Sequence, residues 1–138
     1  MKMKIMVCHD GSENAQQALD EALRIFKPNN PEIILVTVVE GPADASSVNE
    51  ELTEKMVQER HDFLKKTSDT VARRGFDVDA IMAVGDARAM IIETVNQKNP
   101  DIVVIGKRGT GVIKEMVLGS VSAYLVRHVK CPVLVFHT

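Results

Sequence analysis

Strand-like and helix-like patterns alternate along this chain from end to end, and that alternation restricts the fold more than any other feature. Residues 3–9, "MKIMVCH", are a short apolar run that stops at Asp10-Gly11. Ser12 then stands where a helix needs a cap, and Ala15, Ala18, Leu19, Ala22, Ile25 and Phe26 recur at helical spacing. "KPNNP" ends that helix, and "EIILVTVVE" is a β-branched strand. Residues 49–74 predict a long amphipathic helix, with Leu52, Met56, Phe63, Leu64, Thr67 and Val71 as its apolar stripe and Gly75 as its stop. "FDVDAIMAV" is a third strand, and Gly85-Asp86 leads to a helix through Ile91, Ile92 and Val95. "DIVVIG" is apolar throughout, as a strand buried on both faces should be. A glycine-rich segment follows, then a short helix carrying Val121, Tyr124, Leu125 and Val129, and "CPVLVFH" closes the series as a fifth strand.

The order βαβαβαβαβ calls for an open, doubly wound, five-stranded parallel sheet with helices on both faces, a Rossmann-like α/β fold. The chain of 138 residues fits a single domain, 1–138, large enough to bury a core without disulfide or metal. The alternation alone leaves the strand order open; 3-2-1-4-5 is the expected one. Ligands of doubly wound sheets bind beyond the carboxyl ends of the strands, where the winding reverses. In that order strands one and four are neighbours at the reversal, so "HDGS" and "GKRGTG" face one crevice.

Half of the eight glycines fall between residues 106 and 122, in "GKRGTGVIKEMVLGSVS". Gly106, Gly109 and Gly111 do not fit the dinucleotide pattern GxGxxG. Gly106 and Gly111 have the spacing of a P-loop, but Val112 and Ile113 stand where its Lys and Ser/Thr belong. What remains is G-x2-G-x9-G-S, made by Gly106, Gly109, Gly119 and Ser120. With "GSVS", the closing "CPVLV" and the opening "IMVCHDGSENAQQAL", this pattern resembles the universal stress protein family in its ATP-binding branch. "ILVTVVE" and "VGDARAMIIETV" resemble the family's second strand and third junction, so the likeness covers the whole chain.

The resemblance implies phosphate or ribose contacts from Gly106, Arg108, Gly109, Gly119, Ser120, Val121 and Ser122. It implies that Asp10 lies near the ribose or an associated Mg or Mn ion, and that the backbone of Val38 meets the adenine edge. Glycine turns that aim amides inward, and free N–H groups at a helix start, suit polyphosphates. His9 either touches the nucleotide or fills the strand end. Asp10 also reads as a plain turn residue and Ser120 as a plain N-cap. His9, Asp10 and Ser12 are triad types, but neighbouring strand residues point apart, so no relay and no catalytic residue is expected. His61, His128 and His137 are scattered without metal-ligand spacing.

The net charge of −2 argues against nucleic acid or an anionic membrane surface as partner, and the single Tyr, four Phe and absent Trp against base-stacking platforms. No apolar run is long enough to span a membrane, "MKMKIMVCHDGS" has no signal-peptide core, and Cys8 and Cys131 read as free thiols, so a cytoplasmic setting is expected. The resulting expectation is an ATP-bound sensor or regulator in stress response, forming a homodimer through the 132–136 edge strand and acting with a regulatory partner. The rivals are a slow ATPase or adenylyl-transfer enzyme, and an interaction module without nucleotide.

Overall fold

The structure, a computed structural model, describes residues 2–40, 50–107 and 118–137. The strands are β1 (Lys4–Cys8), β2 (Glu32–Val39), β3 (Asp77–Val84), β4 (Ile102–Gly106) and β5 (Val133–Phe136). The helices are α1 (Glu13–Phe26), α2 (Glu50–Arg73), α3 (Ala87–Lys98) and α4 (Ser120–His128), and a single 3-10 turn, Lys27–Asn29, follows α1. The sheet is parallel throughout, in the order β3-β2-β1-β4-β5.

The apolar runs explain why β1, β2 and β4 lie in the middle. Ile5 and Val7 of β1, Ile33 and Leu35 of β2 and Val104 of β4 bury one face against Ala18, Leu19, Ala22 and Leu23 of α1 and Leu64 and Val71 of α2. Their neighbours Met6, Cys8, Ile34, Val36, Val103 and Ile105 bury the other face against Ile91 and Val95 of α3 and Leu125 of α4. Two faces need apolar residues at every position, which period-two alternation would deny them. The edge strand β3 carries acids instead: Asp77 is bonded to Lys2, and Asp79 pairs with Lys98 at 3.0 Å. Charges on an edge discourage further strand pairing.

Helix ends follow local chemistry. Ser12 Oγ accepts the Ala15 N–H at 3.1 Å, capping α1, and Asp86 Oδ2 accepts the Ala89 N–H at 3.0 Å, capping α3. Gly75 follows α2 as expected. Two expected stripe members lie elsewhere. Ile25 is 43% exposed, because α1 turns the flank carrying Leu23 to the sheet. Met56 is also 43% exposed, and the reason is length. The 24 residues of α2 span about 36 Å, whereas the eight of β2 span roughly 26 Å. The helix therefore overhangs the carboxyl end of the sheet by about 10 Å, and its first two turns have no strand beneath them. The side chain of Leu52 lies outside the described residues.

Candidate functional site

The overhang makes one wall of a cleft of about 610 Å³ at the carboxyl ends of β1, β2 and β4. Its floor is Cys8, Val36 and Ile105, its far wall Ala87 and Ile91 of α3, and its remaining side the start of α4. His9, Asp10, Val38, Gly106, Gly119, Ser120, Val121 and Ser122 all line it. Arg108 and Gly109 lie outside the described residues.

Val38 owes its place to register. β1 ends opposite Val36, whose carbonyl accepts the His9 N–H at 2.8 Å. Alternate residues of a parallel strand turn their N–H and C=O toward the same neighbour. Val38 therefore aims its backbone pair as Val36 does, but beyond the last residue of β1, into the cleft. Val39 turns the other way, and its carbonyl accepts the Gly85 N–H at 2.9 Å.

After β1 the chain tightens. Asp10 Oδ1 accepts the Ser12 N–H at 2.9 Å, and Gly11 takes φ +87°, a value that side chains other than glycine rarely adopt. Asp10 stays exposed at the rim. His9 is 2% exposed, with its ring against the Phe63 ring at 4.8 Å. Its Nδ1 accepts the Gly11 N–H at 3.0 Å, so in the neutral ring the proton sits on Nε2, which donates to Gln16 Oε1 at 2.9 Å. Burial lowers the His9 pKa below its ordinary value and outweighs the opposing hydrogen bond to Gln16 and charge of Asp10. Both nitrogens are thus engaged inside the chain. His9 fills the strand end and offers the cleft a ring edge, not a relay to Asp10.

Burial, and then the Asp10 charge, push the Cys8 thiol up to about 12. Cys131 is also raised by burial but is only half-buried. Iodoacetamide at pH 8 should therefore label Cys131 in the native protein and leave Cys8 unmodified until urea is added. Peptide mass spectrometry before and after unfolding checks this, and native labelling of Cys8 would contradict the packing at the cleft floor.

Gly106 and Gly119 are placed as expected but for different reasons. Close approach of a ligand is the reason expected for Gly106, yet α1 is what crowds it. A Cβ there would stand 2.5 Å from Asn14 Oδ1 and 3.4 Å from the Ala15 nitrogen. Gly119 is the N-cap of α4, with ordinary φ of −70°, and its N–H donates to the Lys107 carbonyl at 2.8 Å. The Ser122 hydroxyl donates to the same carbonyl at 2.8 Å. These two bonds clasp the end of β4 to the start of α4. The first bond within the helix is Ala123 N–H to Gly119 C=O, at 2.9 Å. The amides of Ser120, Val121 and Ser122 thus have no partner inside α4, and the helix dipole adds positive potential there. Ser120 is the first helical residue, not the cap, and is exposed.

Arg60, Met56, Glu59 and Phe63 of α2 also line the cleft, and sequence reasoning passed over Arg60. The signal was present: Arg60 lies four residues after Met56 and three before Phe63, a charge on the apolar stripe. Among the described residues no cluster of three or more His, Cys, Asp or Glu is arranged to hold a metal ion.

This arrangement can be set beside known proteins. A model of the universal stress protein family matches residues 1–137. The chain belongs to the universal stress protein family. Universal stress protein YxiE of Bacillus subtilis is 29% identical, over 96% of this chain and 97% of its own length. The solved structure of the protein MJ0577 superposes with a TM-score of 0.91 at 27% identity, covering all of this chain and 97% of its own. A universal stress protein in complex with cAMP gives a TM-score of 0.75 at 25% identity, covering 99% of this chain and 97% of its own. A universal stress protein from Arabidopsis thaliana with AMP bound gives 0.75 at 22% identity, covering 98% and 91%. The last of these supports the fold alone.

Proposed function

We propose that this universal stress protein binds ATP in the cleft and acts as a nucleotide-dependent sensor or regulator rather than as a metabolic enzyme. One observation carries the reading. The backbone pair of Val38 and the amides of Ser120, Val121 and Ser122, none with a backbone partner among the described residues, line the same cleft, over an apolar floor of Cys8, Val36 and Ile105. A donor and acceptor side by side suit the edge of adenine, and helix-start amides suit its phosphates. The cAMP in a related universal stress protein is consistent with an adenine nucleotide. Arg108, with Lys107, adds charge that favours a polyphosphate over a monophosphate.

Asp10 offers a hard carboxylate oxygen at the rim, the donor type that Mg or Mn takes together with phosphate oxygens. The bonds to the Lys107 carbonyl join the end of β4 to the start of α4, and phosphate held at that junction would give a partner a liganded surface to read. A homodimer would use β5, whose outer edge faces no other strand among the described residues. No helix among the described residues is long and apolar enough to cross a membrane; a cytoplasmic setting is part of the proposal.

Hydrolysis should be slow. Fast phosphoryl transfer needs an oriented nucleophile as well as charge stabilisation. His9 has both nitrogens engaged, and binding that is equal before and during reaction does not accelerate it. A single-turnover assay with labelled ATP and magnesium should show a rate far below about 1 per second. A rate near that value, lost in Asp10→Asn, would establish the enzyme reading instead.

A further inference from the structure

Arg60 is the only arginine or lysine among the described residues that line the cleft. It is half-buried, and among the described residues no carboxylate pairs with it. Its Nη1 donates to Thr37 Oγ1 at 3.2 Å, and its guanidinium carbon lies 5.8 Å from the centre of the Phe63 ring. A Cβ on Gly11 would come within 3.1 Å of the same Nη1. The guanidinium is therefore held over the junction of β1 and β2, beside the residue that precedes Val38. Neighbouring strands are about 4.8 Å apart, so β2 and β4 are separated by roughly 10 Å. Arg60 thus stands at the Val38 end of the cleft, across β1 from the amides of α4.

We propose that Arg60 is a specificity-determining residue that contacts the base of the bound nucleotide. This rests on the nucleotide reading given above. A guanidinium has five N–H donors in a plane, and only one is engaged by Thr37. The remaining donors suit the ring-nitrogen acceptors of a purine, and the cation is attracted to an aromatic face, as it is to the Phe63 ring 5.8 Å away. Thr37 is 1% exposed, and its hydroxyl keeps the guanidinium in place, which makes it a positioning residue. Lysine would keep the charge but lose the planar surface.

The base is common to adenosine and ATP, and only ATP has phosphates. That difference gives the test. Calorimetry on the parent protein and on Arg60→Gln should show adenosine and ATP weakened by the same factor, about tenfold. Arg60→Lys should do nearly the same, and Thr37→Val should give a smaller loss with the same equal pattern. Arg60 has no ion pair to lose among the described residues, so the unliganded variants should melt close to the parent, which the same samples report. Loss confined to ATP would make Arg60 a phosphate contact and overturn the proposal, as would unchanged affinity for both. A parent that binds neither ligand would overturn the nucleotide reading itself, and this proposal with it.

Discussion

Ser120→Pro should bind ATP at least about tenfold more weakly than the parent protein while melting no earlier. Ser120 is the first residue of α4, and proline is well accepted there because its fixed φ suits the first turn. The preceding Gly119 has φ −70° and ψ 168°, extended geometry that a following proline favours. The substitution therefore removes one N–H from the helix start without a helical hydrogen bond to lose. A hydrogen bond to a charged group contributes about 1.5–3 kcal/mol, which is roughly tenfold to more than a hundredfold in affinity. Ser120→Ala removes the hydroxyl and keeps the amide, so it should stay near the parent. If alanine weakened binding as much as proline, the hydroxyl and not the amide would be the phosphate ligand. If neither changed it, the phosphates would lie elsewhere.

Gly106→Val should lower stability by about 1–3 kcal/mol, toward the upper end of that range. Even the Cβ collides with Asn14 Oδ1 at 2.5 Å, and the branches of valine would press on the backbone of Ala15, in the first turn of α1. The Ala15 amide is itself bonded to Ser12, so the cap is disturbed with it. Gly106→Ala can be met by a shift of the Asn14 side chain and should cost less. Urea unfolding with an unchanged slope would report both as stability changes. A valine variant as stable as the parent would mean that α1 does not seat against β4 as described. Because Gly106 also lines the cleft, weaker ATP binding by this variant would not by itself assign it a ligand contact.

These two glycine-segment positions show where sequence reasoning reaches and where it stops. The central places of β1, β2 and β4 were legible because continuous apolar runs need both faces covered, whereas alternation left the order β3-β2-β1-β4-β5 open as an expectation that the structure bears out. Asp10 and Ser12 were legible because turn and cap chemistry is local. The place of Ser120 at a helix start was legible, but the inward hydroxyl of Ser122 was not. Its partner, the Lys107 carbonyl, is fifteen residues away, and only the fold brings it near. Gly106 lines the cleft but is also crowded by α1, and nothing in a glycine spacing tells a ligand from a helix. Arg60 was marked within α2 as a charge on the apolar stripe, but that it and Met56 face a cleft depended on the length of α2 relative to β2, a comparison that periodicity within either does not make.

Titration calorimetry of the nucleotide-stripped protein with ATP and magnesium tests the central claim most directly. Saturable binding is expected, at one ATP per chain, with AMP competing for the same site. No detectable heat and no thermal stabilisation at millimolar ATP, in protein that circular dichroism shows to be folded, would contradict it.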